Sequence, residues 1–554
     1  MLTPTPKQAD IRDAEPLDLL VVAPAGCGKT EALALRVQGL LRRGVIKAPQ
    51  KVLVVTFSNR ARDNIKERLR FYLTPAEMRD RVTVVNFHGL SARLFRAHAN
   101  VIGQDPAASL PEGDWIGDEI RRLNLGWGVK AAVEKALREA KQEALTDAEV
   151  ESKLTGQALA FEQQRKADGR LTYDDLPRVA ELILANEVVA DLYRAHFGAV
   201  IVDEFQDLTP QQLRLVRRIG LNRTTYAGDL AQGIYGFAGA RPVAIDAAIR
   251  TECSAVIELN ESHRSSPAVL NAVNSLAGLT GGTLLVSADP ASWPSGGLVG
   301  SVGHVIAQDE AEYVVKLSKA ILNRAPSQRI GVLARAGSRR RFVDDAFAAS
   351  DLEPHRWDDG VLDTDTAKIV KAMLASFDLV GYLGAPDKIA FLREASNFAS
   401  VTDGRDSLAS AVGWCFDLLH EGLQPSEIRS RIRVGNSSTL ITVPGVHLLT
   451  GHVGKGQQFD WVIVVGMEDG SIPNFNANTA EEVAEEARVL AVMLSRARHG
   501  AILSHAQTVP TLAGVIRNQN PSRFYTQLNS VGLRNAHDIV EWLKAADWDA
   551  ISQR

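Results

Sequence analysis

The sequence predicts an α/β protein with two parallel-sheet domains, each carrying a helical insertion, and three observations support this. Short apolar runs bounded by turn residues recur along the chain with longer helical patterns between them. That is the rhythm of parallel strands joined by crossover helices. The rhythm breaks twice, at residues 97–175 and 352–440, where the patterns read as helices only. Finally, the first apolar run, LDLLVV (Leu17 to Val22), leads into APAGCGKT (Ala23 to Thr30) and then a helical pattern, EALALRVQGLLRR. Strand, glycine-containing loop and helix in that order form the setting of a phosphate cradle, with the helix N-terminus facing the anion.

Composition limits the function classes. At 554 residues the chain is too long for one core. Its 45% hydrophobic and 23% charged content is ordinary for a globular protein. The opening MLTPTPKQADIRDAEP is polar, and no apolar run is long enough to span a bilayer, so a cytoplasmic location without membrane attachment is expected. Cys27, Cys253 and Cys415 are far apart, which argues for a reducing compartment and against a zinc or iron–sulfur module. The net charge of −4 means that any nucleic-acid contact must use a local groove.

Taken in order, the first strands are LDLLVV, KVLVVTF (Lys51 to Phe57), VTVVNF (Val82 to Phe87), AVIVDE (Ala199 to Glu204) and TTYAGD (Thr224 to Asp229). A second set is SAVIELN (Ser254 to Asn260), RIGVLAR (Arg329 to Arg335), VHLLTGH (Val446 to His452), WVIVVGM (Trp461 to Met467) and AILSHA (Ala501 to Ala506). The expected division is 1–96 with 176–252 as the first core and 97–175 as its insertion. Residues 253–351 with 441–532 form the second core, 352–440 its insertion, and 533–554 a helical tail. Gly281 to Gly297 is the clearest loop-rich stretch.

In the cradle, the loop of Ala23, Pro24, Ala25, Gly26, Cys27 and Gly28 would wrap phosphate and offer its backbone N–H groups, with Lys29 and the Thr30 hydroxyl completing it. Proline has no N–H, so Pro24 contributes shape alone. The strict pattern begins with glycine, and Ala23 stands there instead. In VIVDEFQD (Val200 to Asp207) an apolar strand ends in adjacent carboxylates. Such a pair suits phosphoryl transfer: Asp203, with Thr30, would hold Mg²⁺, and Glu204 would polarise the attacking water. The two stretches together supply lysine, metal ligands and a base, so the chain reads as a P-loop NTPase using ATP and Mg²⁺.

These motifs, with GDLAQGIYGF (Gly228 to Phe237), resemble the UvrD/Rep/PcrA family of superfamily 1 DNA helicases. The resemblance continues in order through KQ (Lys7, Gln8), VTFSNRARDNIKERL (Val55 to Leu69), NFHGLSARLFR (Asn86 to Arg96) and LNESHRSSPAVLNAVN (Leu259 to Asn274). It extends to VHLLTGHVGKGQQFDWVIVVGMEDGSIP (Val446 to Pro473), EEARVLAVMLSRAR (Glu485 to Arg498) and NPSRF (Asn520 to Phe524). It spans both cores, about half of the chain, and leaves the insertions uncovered.

The resemblance implies RecA-like cores and a set of roles. Gln8 would read adenine and His263 would stack on it, in place of the family's tyrosine. Arg264 and Arg496 would reach the γ-phosphate from the second core, the arrangement of an arginine finger. Gln232 would sense that phosphate and pass its state to Tyr235 and Phe237. Those two rings and Phe57 would stack bases, while Thr56, Asn59, His88, Thr450 and His452 would make polar DNA contacts. The cluster Arg335, Arg339, Arg340 and Arg341 would touch the backbone, unless it is only a solvated face.

Departures are local. Gln458 replaces an acid tied to ribose, Glu31 follows Thr30 where arginine is common, and Ala238 stands where a cation-bearing pair is usual. The stretch QTVPTLAGVIRNQN (Gln507 to Asn520) would form the strand-separating hairpin, with Ala513 near a tip that lacks an aromatic ring. Both insertions are short for the family. The expected activity is ATP-dependent translocation or helicase action on single-stranded DNA or tailed duplex, 3′→5′, in repair or replication, with weak unwinding alone. Two other readings stay open: an ATPase subunit serving a nuclease in an anti-phage complex such as Gabija, and an NTPase acting on something other than nucleic acid. A nuclease or repair protein is the expected partner, and neither a nuclease motif nor a metal-ligand spacing of histidines appears.

Overall fold

The computed structural model describes residues 3–554 apart from 112–114, 124, 126, 358–360, 363, 401–404, 421, 435–440 and 512–514. A six-stranded parallel sheet forms the first core, in the order Val82–Asn86, Lys51–Thr56, Phe197–Asp203, Thr224–Gly228, Leu19–Val22, Ala255–Glu258. Leu19–Val22 and Phe197–Asp203 are buried throughout, which explains their unbroken apolar runs: helices cover both faces of a parallel sheet. The register sets Val22 beside Gly228 and Asp203 beside Ala227, so the phosphate loop and the two carboxylates leave the sheet at one edge. Open parallel sheets carry their sites at that carboxyl edge.

The second sheet runs His355–Arg356, Gly445–Thr450, Arg329–Ala334, Phe459–Val465, Ala497–Pro510, Ile516–Asn518, with Leu298–Ile306 paired to Ala497–Pro510. Two separate cores of buried side chains lie against its faces, and two more against the first sheet. The α/β class is therefore as expected; the first sheet is parallel, and the second is parallel except for the antiparallel edge strand Ile516–Asn518.

Three strand assignments are corrected. SAVIELN was expected to open the second core, yet Ala255–Glu258 pairs with Leu19–Val22 at the edge of the first sheet, so the boundary expected at 253 falls ahead of it. Its run is apolar enough for either core, and only the register decides. Leu298–Ile306, LVGSVGHVI, went unrecognised because its glycines and histidine break the apolar run. The stretch 352–440 is not helical throughout: His355–Arg356 joins the second sheet, and Val361–Leu362 pairs with Arg433–Val434.

Each insertion buries a small core of its own. The first is tied to its lobe by a buried ion cluster. Lys141 pairs with Glu162 at 2.7 Å and Asp175 at 2.9 Å, while Arg178 pairs with Asp175 at 2.8 Å. Such clusters specify geometry more than they add stability. The two insertions meet where Arg393 bonds Asp118 at 2.5 Å. Among the described residues, no helix is long and apolar enough to cross a membrane.

Candidate nucleotide cleft and strand channel

The cleft starts at the phosphate loop. Gly26 and Gly28 adopt φ of 85° and 78°, left-handed values that glycine reaches without strain. Gly28 caps the helix Lys29–Arg42 with no side-chain hydrogen bond, so the first-turn amides stay available to an anion. Lys29 Nζ lies 2.8 Å from Asp203 Oδ1 and 2.5 Å from Glu204 Oε1. Burial alone would lower the lysine's pKa, but the two carboxylates outweigh it and hold the ammonium above its ordinary value. Glu204 is partly buried, yet Lys29 and Lys455 hold it down at about 2, so it stays a carboxylate. Glu204 has φ of 59°, an uncommon conformation for a residue with a side chain, and the strained backbone turns its carboxylate into the cleft.

Gln206, inside DEFQD, links two motifs. Its amide donates to Glu204 Oε2 at 2.5 Å and its oxygen accepts from Asp229 N at 3.0 Å. Asp229 in turn accepts from Gln232 Nε2 at 3.0 Å.

Across the cleft, Arg264 and Arg496 are brought together by the sheet of the second lobe. Ser265 Oγ donates to the Ala497 carbonyl at 2.6 Å and Ser266 Oγ to that of His499 at 3.1 Å, so each arginine is next in sequence to a residue of the hydrogen-bonded pair. Both arginines line one cleft of about 450 Å³ with Gly26, Lys29, Thr30, Glu204 and Gln232. Arg264 packs so closely on the loop that a Cβ on Gly26 would sit 2.6 Å from its own Cβ. Among the described residues its buried Nη1 has no hydrogen-bond partner, and burial lowers the guanidinium's pKa to about 10. A buried donor without an acceptor is costly unless an anion arrives. Arg496 is 2% exposed and anchored through Nε to Val492 O and through Nη2 to Ser495 Oγ.

A second pocket of about 180 Å³ lies beside the loop, lined by Gln8, Cys27, Asn260 and His263 among others. Gln8 forms a capping box with Thr5, and the His263 amide donates to the Gly26 carbonyl at 3.1 Å. Cys27 is buried and its thiol is pushed up to about 12 by burial, which agrees with a small filler and not a reactive thiol.

Of the residues assigned to DNA, Phe57 and Tyr235 stack on each other with centroids 5.3 Å apart and planes 20° apart. Tyr235 also carries the Lys455 ammonium 4.6 Å from its ring centroid. Lys455 Nζ reaches from the second lobe to both Asp207 oxygens, at 2.8 and 2.7 Å, and to the Gln232 carbonyl at 2.8 Å. It thus touches nucleotide-side and strand-side residues together. Its place in VGKGQQF was visible, but its partner was not. Asn59 accepts from the Asn86 amide at 2.9 Å. His88 is edge-on to Tyr173, centroids 5.4 Å apart, a ring the sequence reading did not single out. Burial lowers His88, and burial with Arg335 takes His452 down to about 4, so both rings are neutral near pH 7. Thr450 ends the strand Gly445–Thr450, two residues before His452. The backbone of Phe237 lies in the turn Gly236–Ala238, while its side chain and Ala513 fall outside the described residues.

Two expectations are corrected. Thr56 is fully buried and its hydroxyl donates to Ser58 O at 3.1 Å, so it shapes the turn that carries Phe57 and presents nothing to a strand. The arginine cluster is consumed internally as well. Arg335 pairs with Glu486 at 2.6 Å, Arg339 is buried between Glu310 and Glu468, and Arg340 pairs with Asp344 at 3.3 Å. Arg341 donates to the Pro510 carbonyl.

Comparison with known proteins identifies the family. Residues 5–251 match the UvrD/REP helicase N-terminal domain and residues 427–508 the UvrD-like helicase C-terminal domain. The chain is 26% identical to the ATP-dependent DNA helicase UvrD2 of Mycobacterium tuberculosis, over 94% of this chain and 80% of that protein. It is 24% identical to the ATP-dependent DNA helicase PcrA of Staphylococcus aureus, over 93% of this chain and 85% of that one. The two domain matches cover both lobes, and the chain belongs to the UvrD-like family of DNA helicases.

Proposed function

We propose that this chain is an ATP-driven motor that moves 3′→5′ along single-stranded DNA in repair or replication. The observation that carries the reading is the convergence of Arg264 and Arg496, from one lobe, on the cleft that holds Lys29, Glu204 and Gln232 of the other. ATP entering the loop would take Lys29 from its carboxylate partners and leave Glu204, already ionised, to orient water. The Arg264 Nη1, buried and unpartnered, would donate to the γ-phosphate, with Arg496 beside it. Hydrolysis is then fast only when the lobes are closed.

The donor set fits a hard divalent cation: one hydroxyl, Thr30, and one buried carboxylate, Asp203, leave the remaining positions to phosphate oxygens and water. Mg²⁺ held there would neutralise charge on the phosphates during transfer. On the strand side, Phe57 and Tyr235 would part to accept a base, and Lys455 would transmit the change between Asp207, Gln232 and the Tyr235 ring. The short insertions support weak unwinding by the chain alone and leave room for a nuclease partner, as in an anti-phage complex.

ATPase rate with and without single-stranded DNA tests the reading. Strong stimulation in the wild type and near-complete loss in Lys29→Ala are expected; an ATPase indifferent to DNA would overturn it. Strand displacement on a 3′-tailed duplex separates the unwinding claim, which robust unwinding by monomers would refute.

A further inference from the structure

A cavity of about 230 Å³ opens within the first insertion, lined by Trp115, Arg138, Arg170, Tyr173 and Asp174 among others. It is many times the ~30 Å³ share of one water. Its lining is not that of a packing void. Trp115 supplies an aromatic wall with the Arg170 guanidinium 5.5 Å from its ring centroid. Among the described residues, Arg170 Nε is buried with no hydrogen-bond partner. Asp174 adds an acceptor, and burial raises its pKa while Arg138 opposes the shift.

The cavity also borders the strand channel on two sides. Tyr173, at its mouth and 42% exposed, packs on His88. Arg138 reaches the loop after Phe237, since a Cβ on Gly239 would lie 3.7 Å from its Cδ. An aromatic face beside fixed donors and an acceptor is the chemistry that receives an unstacked nucleobase.

We propose that this cavity is a nucleobase pocket, taking one base that the tracked strand turns out of its stack as it passes between His88 and the Gly236–Ala238 turn. The proposal rests on the DNA-motor reading and adds a contact point in the insertion. Trp115 would stack on the base, Arg170 and Asp174 would bond its edge, and Tyr173 would stand at the entrance.

The test is an abasic scan with the full chain. Strands of about 20 nucleotides, each with a single abasic site moved one position at a time, are titrated against wild type, Trp115→Ala and Arg170→Met. In wild type one position, distinct from that served by Phe57 and Tyr235, is expected to cost about five-fold or more in affinity. Both variants should lose that penalty at that position alone while keeping the rest of the profile. Profiles that match the wild type, or that fall equally at every position, would overturn the pocket. A wild type that binds no strand at all would overturn the motor reading itself, which the intact-strand titration distinguishes. Arg170→Met keeps the proposal testable if Trp115→Ala does not fold.

Discussion

Two regions of the second lobe carry clustered guanidinium groups and put them to opposite uses. Arg264 and Arg496 face the cleft, and Arg264 keeps a buried nitrogen without an acceptor among the described residues. Arg335, Arg339 and Arg340 pair with acids of their own lobe and Arg341 with a backbone carbonyl. The chain shows the second group more plainly, because three of its arginines are consecutive. The difference teaches that neighbours in space decide what a guanidinium group meets, and sequence clustering says nothing of partners.

The comparison breaks most visibly if Arg264 is removed. Arg264→Ala should lower DNA-stimulated hydrolysis by about 10³-fold or more with little change in unfolding free energy, since no internal pair is lost. Steady-state ATPase with a denaturant titration checks both halves.

Arg339→Met should do the reverse. It strands Glu310 and Glu468 in the interior, so stability should fall by about 3–5 kcal/mol while hydrolysis per folded molecule persists. Equal loss of activity in both variants would erase the distinction.

Lys455 sharpens it as a third case, a cation whose partners lie across the cleft. Lys455→Met should cut stimulation by DNA about ten-fold or more while leaving DNA-independent hydrolysis nearer wild type. pH reads the same bridge. Burial lifts Asp207 to about 6 against the pull of Lys455. Its carboxyl is charged above that value and neutral below, so stimulation should fall as pH drops from about 7 to 5. Asp207→Asn should flatten that dependence.

The smallest effect is expected at the insertions. Arg393, 38% exposed, bonds the buried Asp118, and a double-mutant cycle of Arg393→Ala with Asp118→Ala should give a coupling of only about 1 kcal/mol.

Much of the nucleotide side was legible in the chain. APAGCGKT and VIVDEFQD each hold their chemistry within eight residues, and a strand–loop–helix spacing translates into geometry without further information. The strand side was legible in part. Phe57 and Tyr235 were found through motif context, whereas Tyr173 and Lys455 take their meaning from neighbours distant in sequence, His88 and Asp207. Thr56 looked like a polar contact because a threonine hydroxyl gives no sign of which way it turns. Ala255–Glu258 was set in the wrong sheet because an apolar run carries no address.

By itself, then, the sequence determined the α/β rhythm, the helical interruption after the third strand, and the loop and strand-end carboxylates that meet at one sheet edge, all of which follow from short-range pattern. Tertiary structure alone decided which arginines meet an acid and which are left facing the cleft, which sheet takes the strand after Cys253, and that a lysine of the second lobe bridges both sites. The physical reason is that Coulombic and hydrogen-bond partners are chosen by distance in space, with low-dielectric burial setting what an unpaired charge costs. Neither distance nor burial is encoded in the local order of residues.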